Sequence, residues 1–309
     1  MKRLLLAALF TSLTFLYVGC DSKKDDTVEP PAEQDKIVNT WYSEGAGIAP
    51  GLASTLKSVK IIATFNSNNT YTVIAKDSAG AEVTYSGTYS VSENTGTSIR
   101  SIILNQTVPT SVTSKGIYQV DSKGMMKYEV VQTAPEIAGI TPPVPAEGFG
   151  STKYMNVALG ETWIQGFVPA TPTTELLTGT WVSEGANVAP GLVLTLKTKK
   201  IVATFNSNNT YTVVATDSFN VDVTYSGTFS TAANSGTSIR NITLNQTVPT
   251  TVTSTGIYRV TTRDLKYEVL QTTPAITGFT APTAAEGFGS TKYNNIPLGA
   301  TWIQTFIYQ

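Results

Sequence analysis

Residues 41–120 recur without a gap at residues 181–260, at a constant offset of 140. Of the 80 aligned positions 56 are identical, so whatever the first copy folds into, the second must fold into as well. The run Ala63–Val73 returns letter for letter at Ala203–Val213, and Glu147–Tyr154 returns at Glu286–Tyr293 with the offset reduced to 139, which places the loss of one residue near Gly124. The repeating unit is roughly 130 residues long, the size of a self-contained domain rather than of a solenoid repeat of ~20–50 residues.

Each unit reads as all-β. Lys60–Phe65 is β-branched and aromatic, as strands prefer. Asn66–Thr70 is a turn, because Asn and Ser bond their own backbone and Asn tolerates positive φ. Tyr71–Ala75 then returns to complete a hairpin. Glu82–Val91, Ser98–Asn105, Ser111–Val120, Met126–Gln132 and Thr162–Phe167 supply further strands, and Trp41 opens the unit on a short one. About eight strands with turn signals every ~8–14 residues predict an antiparallel β-barrel, with a β-sandwich as the alternative. Only Ala49–Lys60 departs from the strand pattern; it permits a short helix beginning at Pro50, where a proline is tolerated in the first turn.

The second copy opens with Gly179-Thr180-Trp181. This Gly-x-Trp, followed by a Phe–turn–Tyr hairpin and a closing strand near the end, resembles the lipocalin-like β-barrel family. In the first copy Asn39 stands for the glycine, so only Trp41 matches. The resemblance implies two tandem barrels, residues 37–167 and 176–309, joined by a Pro/Thr-rich linker at 168–175.

At the N-terminus, Lys2-Arg3 precedes an apolar run from Leu4 to Val18 and then Gly19-Cys20. A basic start, a short apolar core and a small residue before the cut describe an export signal over residues 1–19. The run is shorter than the ~20 residues a bilayer span needs. Cys20, the sole cysteine, resembles the lipidated cysteine of bacterial lipoproteins, although Tyr17 stands where that family usually has leucine. The resemblance implies an acyl anchor to a membrane. Lys24-Asp25-Asp26 beside it resembles the surface-export tag of Bacteroidota lipoproteins, which implies an outer-membrane anchor with the chain exposed at the cell surface. Residues 20–36 hold one large apolar side chain, Val28, and are expected to form a disordered tether. Asp26-Thr27-Val28 and Asp77-Ser78-Ala79 resemble the O-glycosylation acceptor pattern of the same bacteria.

Composition excludes several functions. Histidine is absent from all 309 positions, which removes Ser-His-Asp and Cys-His nucleophilic systems and zinc sites built on His and Cys. Net charge is −1, charged residues make up 14%, and no basic block is present to neutralise phosphates, so nucleic acid is not an expected partner. No catalytic residue, metal site or cofactor is assigned.

Side-chain parity along the strands sorts the remaining candidates. Arg100, Ile102 and Leu104 share a face and recur as Arg240, Ile242 and Leu244, so this face is expected inward. An inward Arg needs a partner, and Glu129 and Glu268 are the expected ones. If the pair serves binding, Arg100 takes an anionic head group with help from Tyr85 or Tyr118, and Arg240 does so with Tyr225 or Tyr258. If it is scaffold, the Arg stacks on Trp41 and closes the barrel floor. Trp41, Trp163, Trp181 and Trp302 are expected to pack where each barrel closes, or else to form a platform for sugar rings. The loop around Phe149 and Phe288, with Lys153 and Lys292, is expected as a rim or as a strap with its Phe as plug.

Three functions remain open. The first is a lipid-anchored binding protein with a small apolar or anionic amphipathic ligand in each barrel, which requires a cavity of ~300–1,000 Å³. The second is a non-catalytic structural, adhesive or glycan-binding surface module with filled barrels. The third is a carboxylate enzyme, for which Glu44, Glu129, Glu147, Glu184, Glu268 and Glu286 are the acids to examine, requiring a pair ~5–9.5 Å apart in a cleft.

Overall fold

A computed structural model describes residues 35–92, 96–172 and 175–309, so the expected signal sequence, Cys20 and most of the expected tether lie outside the described residues. The first repeat runs through β1 (Asn39–Glu44), α1 (Pro50–Thr55), β2 (Ser58–Phe65), β3 (Thr70–Asp77), β4 (Glu82–Ser92), β5 (Arg100–Val108), β6 (Val112–Val120) and β7 (Met126–Ala134). Three two-residue strands, β8 (Ile140–Thr141), β9 (Lys153–Tyr154) and β10 (Val157–Ala158), form a small separate sheet before β11 (Gln165–Pro169). The eight long strands close into an antiparallel barrel in which each pairs with its sequence neighbour, β11 standing between β7 and β1. The second repeat closes an eight-stranded barrel of the same order. The chain is therefore two tandem antiparallel barrels, and closure leaves neither sheet an unpaired edge.

Local chemistry accounts for the hairpins. In the β2–β3 turn, Asn69 takes φ +62°, its amide donates to the Asn66 carbonyl, and the Thr70 amide and hydroxyl both donate to the Asn68 side chain. Asn206–Thr210 repeats these bonds. Along β2, Ile61, Ala63 and Phe65 face inward at 6%, 2% and 2% exposure. They join Ile37, Trp41, Ile102, Tyr118 and Met126, which fill one end of the barrel solid. The Trp41 indole nitrogen donates to the Ile37 carbonyl at 2.7 Å, and Trp181 does the same to Leu177.

The repeat boundaries differ from expectation in an instructive way. Asp35 is not free tether: its carboxylate accepts the Ile37 amide and pairs with Arg100 at 2.7 Å. Val168 and Pro169, expected in the linker, complete β11, and Glu175 already belongs to the second barrel, where it accepts the Leu177 amide.

The barrels do not hang loosely on that short connection. Val168, on the outer wall of the first barrel, belongs to the apolar core of the second at 5% exposure, with Tyr42 and Met125 packed beside it. Its counterpart on the second barrel, Ile307, is 47% exposed. Glu44 receives hydrogen bonds from the Ser238 amide and hydroxyl and from Thr237, and pairs with Lys60 at 3.1 Å. Its side chain is 9% exposed, whereas that of Glu184, the same position in the second repeat, is 64% exposed. Gly166 completes the fit. A Cβ there would lie 2.0 Å from the Thr262 hydroxyl oxygen, while the second barrel, whose equivalent wall is uncovered, carries Thr305 at that place.

Two outcomes follow from this interface. Gly166→Thr, which installs the residue the second repeat itself carries, should loosen the barrels and raise proteolysis around residues 170–174; an unchanged cleavage rate argues against the packing. Burial raises the Glu44 carboxyl, but the Ser238 donors and Lys60 outweigh it and leave it below its ordinary value of 4.5. A group depressed in the folded state contributes stability above its unfolded value and loses it as pH falls through the folded one. Glu44→Ala should therefore cost about 2 kcal/mol in urea unfolding at pH 7, shrinking below about pH 4. Glu184→Ala should change stability by less than ~0.5 kcal/mol at either pH.

Candidate functional site

The filled floor occupies one end of each barrel, and the other end holds a cavity. It measures 720 Å³ in the first repeat and 690 Å³ in the second. In the first, the deep wall is Phe65, Tyr71 and Tyr128, and the mouth is formed by Leu52 of α1, Leu56 just after it, Ile137 and Ile140 of the β7–β11 connection, and Trp163. The second repeat places Leu192, Leu196, Ile276, Phe279 and Trp302 at the corresponding positions. Among the described residues, no lysine, arginine, aspartate or glutamate lines either cavity.

Two buried polar residues hold the mouth in place. Gln165, 3% exposed at the start of β11, accepts the Ala49 amide at 2.8 Å and donates to the Ser43 hydroxyl, which ties the start of α1 to the barrel. Gln304 repeats this with Ala189 and Ser183. Glu129 is fully buried on the outer face of β7. Its carboxylate accepts the Gly150 amide at 2.6 Å, the Thr152 amide at 3.0 Å and the Thr152 hydroxyl at 2.5 Å. Glu268 makes the same three bonds with Gly289 and Thr291. Each glutamate thus straps the long β7–β11 connection, or its counterpart, against the barrel wall.

This overturns the expected Arg–Glu pairing. Arg100 does face inward, but at the solid floor, where it pairs with Asp35, whose carboxylate also accepts the Tyr118 hydroxyl at 2.9 Å. In the second repeat Glu175 accepts Tyr258 at 2.7 Å and lies 3.8 Å from Arg240, whose Nε donates to the Tyr258 hydroxyl. Burial and the neighbouring carboxylate push both phenols well above the ordinary value, so they remain neutral donors. Glu129 and Glu268 could not serve as partners because parity sends them to the opposite face from Tyr128 and Tyr267. Of the eight residues expected at a ligand, only Tyr85 and Tyr225 line the cavities; Arg100, Tyr118, Glu129, Arg240, Tyr258 and Glu268 do not.

The aromatic expectations divide similarly. Trp41 and Trp181 sit on the strands that close each barrel. Trp163 and Trp302 are not on strands but in the 3₁₀ turns Gly160–Trp163 and Gly299–Trp302, half-buried and lining the cavities. Phe288 is not a plug: it lies outside the barrel, 5.5 Å from the Arg259 guanidinium and 5.2 Å from the Lys266 ammonium. Lys153 and Lys292 pair with Glu147 and Glu286, away from both cavities. The acids named for a carboxylate mechanism are likewise placed in the interface, under the strap or at exposed ion pairs, and none lines a cavity.

Arg100→Ala should cost roughly 2 kcal/mol of stability, since it leaves Asp35 without its cation, while ligand affinity stays at the wild-type value. Glu129→Ala, which strands three buried donors, should cost roughly 3 kcal/mol. It should also speed amide exchange at Gly150 and Thr152; unchanged exchange there would show that the strap is held by something else.

No family model matches the chain, and no curated protein sequence matches it.

Proposed function

We propose that this chain is an exported, lipid-anchored surface protein of the lipocalin-like type, each of whose barrels holds one small apolar ligand. The observation that carries the reading is the apolar cavity present in both repeats, 720 and 690 Å³, within the ~300–1,000 Å³ of small-molecule sites. A module with filled barrels leaves no room for such a space, and a close-packed interior rarely holds voids larger than a water molecule. Anchorage rests on the sequence around Cys20, and exposure at the outer surface on Lys24-Asp25-Asp26. The chain gains a second site by duplication, so one anchor carries two sites and retains ligand or a ligand-bearing surface by multivalency.

The reading is tested by stoichiometry. A fluorescent apolar probe should saturate the full chain at two per molecule. Val73 and Val213 line the two cavities on equivalent strands. Val73→Trp or Val213→Trp alone should lower the count to one, and the double variant should abolish binding, with circular dichroism unchanged. A wild-type chain that takes up no probe, or a double variant that still binds two, contradicts it.

A further inference from the structure

The cavity walls say more about the ligand than that it is apolar. Three tyrosines line the first cavity, Tyr71, Tyr85 and Tyr128, and their counterparts Tyr211, Tyr225 and Tyr267 line the second. None of the six hydroxyls hydrogen-bonds to another described residue, in contrast to Tyr89, Tyr118 and Tyr258, whose hydroxyls all do. Tyr71 is 3% exposed, deep against Phe65, and Tyr128 lies close enough to it that the Tyr71 phenol adds to the cost of ionising Tyr128. Burial raises Tyr71 to about 12 and Tyr128 further, so both stay protonated and offer one O–H donor and two acceptor lone pairs. These hydroxyls open on the cavity rather than on a protein acceptor, so an apolar molecule that fills it strips their water and favours a polar group of its own in that place.

The same walls exclude charge. With no cation among the described lining residues, an ionised carboxylate placed inside loses its hydration and gains no counter-charge in return. Phenol donors return only part of that loss, because they bring no opposite charge. The basic side chain that parity placed inward, Arg100, is engaged at the floor by Asp35 instead. At the rim, the Gln106 and Gln132 amide groups donate to the Thr110 and Pro135 carbonyls at 2.9 and 2.7 Å.

We infer that each cavity selects an apolar molecule bearing an uncharged hydrogen-bonding group, a hydroxyl, ester or amide, read by Tyr71 and Tyr128 in the first barrel and by Tyr211 and Tyr267 in the second, and that it disfavours the ionised acid of the same length. The inference rests on the cavities being ligand sites, and it replaces the anionic amphipath that the sequence left open with a neutral one.

The test is displacement of a bound fluorescent probe from the full chain by hexadecane, hexadecanol, methyl hexadecanoate and hexadecanoate, with and without Tyr128→Phe/Tyr267→Phe. At pH 8 hexadecanol and the ester should compete at least tenfold better than hexadecanoate. Lowering the pH should strengthen the acid about tenfold per unit towards its own pKa and leave hexadecanol unaffected. The double Phe variant should weaken hexadecanol about five- to tenfold and leave hexadecane unchanged. Equal or tighter binding of hexadecanoate at pH 8, or a Phe variant that treats hexadecanol as wild type does, overturns the inference while the cavities remain ligand sites. Failure of all four competitors, hexadecane included, overturns both.

Discussion

The carboxylate of Glu129, and of Glu268 in the second repeat, is the contact on which the site depends. A closed eight-stranded barrel of this size can be packed solid. Here one end is packed, and the other is finished by a thirty-residue connection that contributes Ile137, Ile140 and Trp163 to the cavity mouth. A connection of that length has no ladder of its own beyond a sheet of two-residue strands, so it must be fastened elsewhere. Glu129 does this with three charge-assisted bonds to Gly150 and Thr152, made where no solvent competes. Gln165 fastens the other lip by holding Ala49. The mouth is thus fastened by Glu129 from the outer face and by Gln165 from the lining itself, and no charged side chain among the described residues lines the walls.

Much of this was legible in the sequence, and the misses have physical causes. The strands, the Asn-rich turns and the helix at Pro50 follow from local propensity, and parity placed Arg100 inward beside Ile102 and Leu104 correctly. The partner was missed because parity sorts faces but does not say what covers the outer one: Glu129 looked like an inward partner only while the strap over it was invisible. The true partner carried a signal, since Asp35 and Glu175 are both acids at the repeat offset of 140, just upstream of the window in which identity is dense. Trp163 was misplaced onto a strand because Gly160, at φ +56°, opens a 3₁₀ turn that an aromatic-rich run does not announce. The cavities themselves have no sequence signature, because the same inward apolar residues would line a solid core.

Duplication explains the likeness of the two sites, and packing explains where the copies differ. Glu44 and Glu184 are the same residue in the same strand, yet one is buried among donors and the other is solvated, because only the first barrel has a neighbour on that wall. Gly166 against Thr305 is the substitution such contact requires. The outer surfaces have diverged as well. On the exposed surface, Leu194, Phe219 and Val221 of the second repeat stand where the first has Ser54, Ala79 and Ala81. The interiors have not diverged in kind: both keep three cavity tyrosines, and neither has acquired a charge among its described residues.

The central claim is that each barrel carries an uncharged apolar ligand. Native mass spectrometry of the mature chain purified from its own host, followed by solvent extraction and lipid analysis, addresses it most directly. The account predicts up to two bound molecules per chain, recovered in the neutral lipid fraction. A chain that flies without adducts and yields no lipid, or one that yields only free acids, would contradict it.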